Sequence, residues 1–193
     1  MRICLASNNP HKIREIRQIL PEGLDLLSLE EIGCTEDIEE TEETIEGNSL
    51  LKAQYIYDNY GISSISDDTG LEVTALNGEP GVYTARYAGE EKDSQKNMAL
   101  LLKNLEGKSD RSARFKTVIT FIENGQVHQF EGIAEGNIIA EQRGAEGFGY
   151  DPIFQPSGYE ETFAEISSEM KNQISHRAKA TQKLIQYLKN NYE

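Results

Sequence analysis

A single α/β domain is the fold class this sequence predicts, and three observations point to it. At the N-terminus an apolar run, Ile3 to Ala6, gives way to a polar loop and then to Ile13, Ile16, Ile19 and Leu20, spaced as one helical face. In the middle, two strand-like runs, Arg114 to Ile122 and Gln126 to Ala134, flank Asn124-Gly125, a pair that tight hairpin turns favour. Toward the end, Ala180, Leu184, Ile185 and Leu188 line one side of a helix. The 193 residues suffice for one domain with a real core. No internal repeat or low-complexity linker divides them.

Composition narrows the function classes. Hydrophobic residues make up 37% and charged residues 27%. No apolar run approaches membrane-spanning length, and the N-terminal apolar stretch is too short for a signal peptide, so a cytoplasmic location without membrane partners is expected. Cys4 and Cys34 form neither a CxxC pair nor a zinc-spaced cluster, and Cys4 reads as a small buried hydrophobe. Nineteen Lys and Arg face 33 Asp and Glu, a formal charge of −14. That excess argues against nucleic-acid binding, which rests on a basic face. It leaves room for a small polyanion met by a few cations, or by a metal ion held on some of the acids.

In chain order, the first loop is Ser7-Asn8-Asn9-Pro10-His11-Lys12. Asn9 suits a helix cap and Pro10 the first helical position. The arrangement aims free backbone N–H groups and the positive end of a helix into the loop. Lys12 opposes the dipole preference there, which suggests an external anion, although an ordinary surface lysine fits too. The loop lacks the Walker A pattern. An acidic stretch from Glu36 to Glu46 reads as a solvated loop. A helix follows from about Thr44 to Tyr57, with Leu50, Ala53, Ile56 and Tyr57 as its buried side. Lys52, isolated among acids, reads either as a counter-charge or as a phosphate contact.

The most informative stretch is Ile65-Ser66-Asp67-Asp68-Thr69-Gly70. A short apolar run ends in paired carboxylates, and the alternation resumes at Leu71, Val73 and Ala75. It reads as a buried strand whose end delivers two acids, with Gly70 permitting a tight turn; Asp, Thr and Gly also suit a plain polar turn. In an extended backbone the two Asp side chains face opposite sides. Asn77 to Gly81 is a turn signature. Arg86 is a further candidate anion ligand. Met98, Leu101, Leu102 and Leu105 mark an amphipathic helix, and His128 in the hairpin reads as structural or exposed.

Glycine density then rises at Gly144, Gly147 and Gly149 around Phe148, Tyr150 and Asp151. A loop exposing Phe and Tyr between glycines suits stacking on a flat ring, and it suits plugging a core equally. Lys171 precedes Ser175-His176-Arg177 at the start of the C-terminal helix, where His and Arg can read keto oxygens or phosphates.

Seven stretches taken together carry a resemblance. Ser7 to Lys12, Glu39-Glu40-Thr41, Asn48 to Ala53, Ser66 to Gly70, Gly81 to Tyr87, Phe148 to Phe154 and Ser175 to Arg177 occur in the order and spacing of the inosine triphosphate pyrophosphatase family, also called Ham1-like. The chain resembles that family from Ile3 to about Leu188. The resemblance implies a mixed twisted β-sheet flanked by helices, elongated into two lobes with a central cleft, and a homodimer. It also implies hydrolysis of dITP, ITP and XTP to the nucleoside monophosphate and pyrophosphate with Mg²⁺. By the family pattern Asp68 is the general base and a magnesium ligand, and Glu40 a second ligand. Asp67 either shares the metal or supports Asp68. Ser7, Asn8, Asn9, Pro10, His11, Lys12, Lys52 and Thr69 would hold the triphosphate. Phe148, Gly149, Tyr150, Asp151, Lys171, His176 and Arg177 would hold the base. One departure is Ser7-Asn8, where many members carry Thr-Gly: Asn8 adds a side chain where glycine lets a phosphate approach. Two other readings remain beside this one, a pyrophosphatase of pyrimidine nucleotides and a non-catalytic acidic binding module.

Overall fold

Strand β1 (Arg2–Leu5) sits inside a six-stranded mixed sheet, with three helices supplied by segments between strands and two more after the last strand. The architecture comes from a computed structural model that describes residues 1–192. The remaining strands are β2 (Asp25–Leu27), β3 (Ser63–Val73), β4 (Ser112–Glu123), β5 (Gln126–Ile138) and β6 (Phe154–Pro156), and the spatial order is β2-β1-β3-β4-β5-β6. β1 runs parallel to both β2 and β3, whereas β5 and β6 are antiparallel. The helices are α1 (Pro10–Ile19), α2 (Ile45–Tyr60), α3 (Ser94–Asn104), α4 (Ser168–Ile174) and α5 (His176–Tyr192). None is long and apolar enough to cross a membrane among the described residues.

The chain forms two compact units. The first comprises residues 1–68, 118–131 and 180–193. Its β1 is buried on both faces, as expected of a strand with parallel neighbours on each side. Ile3 and Leu5 pack with Ile13, Leu26, Ile65, Phe121, Leu184 and Leu188, while Cys4 points the other way onto Cys34 and Ile56. Burial pushes the Cys4 thiol up to about 12, with Cys34 and Glu31 adding to the effect, so it is the inert hydrophobe expected. The second unit comprises residues 69–117 and 132–179. Its core gathers Leu71, Val73, Met98, Leu101, Phe115, Tyr150, Phe154 and Phe163.

Local signals translate directly into elements. Asn9 caps α1 with Pro10 in its first turn, Thr44 caps α2, and Asp93 caps α3. Asn124 and Gly125 take φ of 47° and 74°, the left-handed pair that a two-residue hairpin turn requires, and both strands run longer than the sequence suggests. The Asn77–Gly81 turn is present with a cis Glu79–Pro80 bond.

Three expectations need correction. β3 does not turn at Gly70; it continues to Val73, because its polar side chains find partners along the strand. The buried side of α2 is Ile45, Asn48, Ser49, Ala53 and Ile56, with Leu50 and Tyr57 only half-buried. Asn48 accepts from the Glu42 N–H at 2.9 Å and Ser49 bonds the Thr120 hydroxyl at 2.7 Å, so polar residues occupy that face without orphaned groups. Tyr150 is 3% exposed rather than displayed: its hydroxyl donates to the Thr84 carbonyl at 2.7 Å and its ring belongs to the core.

Candidate functional site

In the first unit, β1 leads into the Ser7–Lys12 loop, several of whose hydrogen bonds close within the loop and the start of α1. Ser7 Oγ accepts from the Asn9 N–H at 3.0 Å. The Asn9 side-chain oxygen accepts from the N–H groups of His11 at 3.0 Å and Lys12 at 3.4 Å, and the Asn9 carbonyl accepts from Ile13 at 3.1 Å. Pro10 has no N–H. The free backbone donors expected at this helix end are therefore already taken. An anion would meet the positive helix end and the His11 and Lys12 side chains instead. Asn8 Oδ1 accepts from the Glu30 N–H at 2.9 Å, which ties this loop to the 3₁₀ turn Glu30–Ile32.

β3 carries Asp67 and Asp68 beside two lysines. Lys12 Nζ grips both carboxylate oxygens of Asp67 at 3.0 Å each, so it has an internal anion where the sequence suggests an external one. Lys52 comes from α2, donates to Glu40 Oε1 at 2.9 Å and to the Asp67 carbonyl at 2.7 Å, and lies 3.7 Å from Asp68 Oδ1. Side chains of Lys52 and Asp68 are only 15% and 12% exposed. Burial alone would lower the Lys52 pKa, but Asp68, Glu40 and Asp67 outweigh it and hold the ammonium above the ordinary lysine value. The result is three carboxylates and two ammoniums within one cluster. Behind the strand, Ser66 donates to the Ser49 carbonyl, and Ser49 bonds Thr120, anchoring the backbone that presents the acids.

The second unit begins at Thr69, whose hydroxyl bonds that of Thr117 at 2.8 Å. Its main cluster forms around the glycine loop. Phe148 is 74% exposed, and Lys171 Nζ from α4 lies 4.7 Å from its ring centroid. Lys171 also bonds Asp151 Oδ2 at 2.6 Å, and the same carboxylate oxygen accepts from the Phe148 N–H at 3.0 Å. Gly147 has φ of 75°, and a Cβ there would collide with the Asp151 carboxylate, so glycine is needed for this close approach. Gly149 follows with φ of 60°. The exposed aromatic ring, cation and carboxylate thus form one connected group.

His176 opens α5 after Ser175, whose hydroxyl accepts from the Ala178 N–H at 3.2 Å. Its imidazole stacks on Phe115 and, farther off, on Phe163, over which Lys171 also lies at 5.6 Å. Burial, then Lys171, Arg177 and Lys179, push its pKa down to about 3. His176 is therefore neutral at physiological pH. Arg177 follows it in the first turn of α5. Arg86 ends the 3₁₀ segment Gly81–Arg86 with its guanidinium 5.3 Å from the Tyr83 ring centroid.

Nine of the expected residues thus fall into an acid–lysine cluster (Lys12, Glu40, Lys52, Asp67, Asp68) and an aromatic–cation cluster (Phe148, Asp151, Lys171, His176), while Tyr150 is in the core. Residues missed by the sequence reading are supports: Ser49, Ser66 and Thr120 behind the acids, Thr117 beside Thr69, and Phe115 and Phe163 against His176. Ser66, Phe115, Thr117 and Thr120 lie on strands, Ser49 on α2 and Phe163 in a turn, and nothing in the sequence marks what they touch.

Comparison with known proteins places this geometry. Residues 3–187 match the Ham1 family. A dITP/XTP pyrophosphatase of Flavobacterium psychrophilum is 56% identical over 190 residues, covering 98% of this chain and 100% of that protein. A dITP/XTP pyrophosphatase of Bacillus subtilis is 46% identical over 188 residues, 95% of each chain. Among solved structures, the Ham1 protein of Staphylococcus aureus superposes with a TM-score of 0.95 at 40% identity, covering 98% of this chain and 99% of its own.

Proposed function

The chain belongs to the Ham1 family, and we propose that it hydrolyses dITP, ITP and XTP to the nucleoside monophosphate and pyrophosphate. The observation that carries the chemistry is the acid–lysine cluster on β3, with Asp68 held beside Glu40 and Lys52. Cleavage between the α and β phosphates needs an oriented water, charge neutralisation and a stabilised leaving group. In this reading Asp68 orients the water and accepts its proton. Lys12 and Lys52 carry charge on the departing pyrophosphate, and Ser7 to His11 with Thr69 complete the phosphate contacts. Arg86 is a further candidate anion contact.

Magnesium dependence belongs to the same proposal. Glu40 and Asp68 both lie against the Lys52 Nζ, so the two carboxylates are neighbours and would hold the ion together, with Lys52 moved aside. Hard oxygen donors suit Mg²⁺, which takes one or two carboxylates and completes its shell with phosphate oxygens and water. Asp67 would join only by releasing Lys12. When bound, the ion would neutralise phosphate charge.

For the base, Phe148 offers the stacking face, and Gly149, Asp151, Lys171, His176 and Arg177 surround it in the proposal, with Tyr150 acting from the core as support. Hypoxanthine and xanthine carry an acceptor at O6, where adenine carries an amino group. A site built on buried polar contacts rejects the wrong ring by ~10⁴-fold or more. A homodimer and a cytoplasmic location are part of the same family reading. Phosphorus NMR of the products tests the reaction: dITP should yield dIMP and pyrophosphate, and formation of dIDP with inorganic phosphate would refute the proposed bond.

A further inference from the structure

Phe115 has no part in the reading above, yet it is the closest ring to His176. It lies on β4, 5% exposed, with its ring centroid 4.7 Å from the imidazole and the planes 18° apart. Phe154 meets Phe115 edge-on at 4.6 Å, and Phe163 stacks on it at 6.0 Å, so the Phe115 ring is itself held in place. His176 is 8% exposed, and its Nδ1 is buried without a hydrogen-bond partner, alone in this among the side-chain nitrogens and oxygens of the described residues.

The orphaned nitrogen constrains the proton. A neutral imidazole carries one N–H and one lone pair. A proton on Nδ1 would be a buried donor with no acceptor, which folded proteins almost never tolerate, whereas a bare lone pair is the lesser cost. A doubly protonated ring would add an uncompensated charge beside Lys171, Arg177 and Lys179. The proton therefore belongs on Nε2.

We propose that Phe115 is a positioning residue for purine recognition: stacked on His176, it holds the imidazole in the orientation that buries Nδ1 and so fixes the Nε2–H tautomer, a single donor matched to a 6-oxo purine. This rests on the reading that His176 faces the base. A single donor suits O6 of hypoxanthine or xanthine and clashes with the 6-amino group of adenine.

The test pairs Phe115→Leu with Phe115→Met, a second variant that removes the stack at nearly constant volume if the first does not fold. Long-range ¹H–¹⁵N correlation spectra of His176 report the tautomer, and steady-state kinetics with dITP and dATP report recognition. Expected are an Nε2–H signature in the native protein and a mixed one in the variants. The KM for dITP should rise about tenfold, the weight of one neutral hydrogen bond, while kcat changes far less and dATP is unaffected. A native Nδ1–H signature, or variants that leave tautomer and dITP KM unchanged, would overturn the proposal. His176→Leu, which leaves no side-chain N–H at this position, separates the layers. If it leaves the dITP KM unchanged, the base-site reading fails and the proposal falls with it. If it raises that KM while the Phe115 variants keep the tautomer, the proposal alone fails.

Discussion

Lys52 Nζ sits 2.9 Å from Glu40 Oε1, making one lysine the hub of the acidic cluster rather than a loose surface charge. Its other partners are the Asp67 carbonyl and the Asp68 carboxylate. Lys52→Met leaves these acids without their nearest cation and removes a group assigned to the leaving pyrophosphate. Turnover of dITP should fall by about 10²-fold or more. The folded pKa of Lys52 is raised, so its stabilisation is fully present below the ordinary lysine pKa and is lost only as pH rises through the higher folded value. Urea unfolding of the variant should therefore show a deficit that is constant from about pH 6 to pH 9. A deficit that vanishes within that range would contradict the assigned pairing.

His176 sets the opposite pH dependence. Its folded pKa lies near 3 against an ordinary 6.5, so the unfolded chain binds a proton that the folded one refuses. Stability should rise with pH across that window and be lost as pH falls through it. His176→Gln should flatten this acid slope in urea titrations between about pH 4 and pH 7. An unchanged slope would mean that the ring charges in the folded protein.

Phe148 is exposed, so truncation should separate binding from folding. Phe148→Ala should leave stability within about 0.5 kcal/mol of the parent. The KM for dITP should rise roughly tenfold to hundredfold, as expected for loss of base stacking worth about 1–3 kcal/mol. Thermal unfolding and initial rates measured on one preparation check both halves.

Asn9 serves two backbone donors with one oxygen. Asn9→Ala should cost about 1 kcal/mol through loss of the α1 cap. Calorimetric melting reports the loss, and an unchanged midpoint would show that water replaces the cap without penalty.

What was legible in the sequence was local. The Asn9-Pro10 helix start and the Asn124-Gly125 turn depend on residues a few positions apart, and both form as their chemistry dictates. What was hidden depends on partners far along the chain. Lys12 meets Asp67 across 55 positions, so a first-turn lysine looks unpaired until the fold brings β3 alongside. Gly70 looks like a turn because Asp, Thr and Gly share that habit, yet ion pairs and the Thr69–Thr117 bond keep β3 extended. β2, only three residues long, has no periodicity to betray it. The glycines around Tyr150 suit display and core plugging equally, and the Thr84 carbonyl that accepts from its hydroxyl decides for the core, which no local pattern reveals. The acids and the aromatic loop could be named from sequence; the residues that hold them could not.

The central claim is that Asp68 serves metal-assisted release of pyrophosphate from the non-canonical purine nucleotides dITP and XTP. The most direct measurement is pyrophosphate release from dITP, XTP, dGTP, dATP and dTTP, with and without Mg²⁺, by the native protein and by Asp68→Asn. The expected result is Mg²⁺-dependent release that strongly favours dITP and XTP and is abolished in the variant. No release from any nucleotide, or equal release by Asp68→Asn, would contradict the assignment.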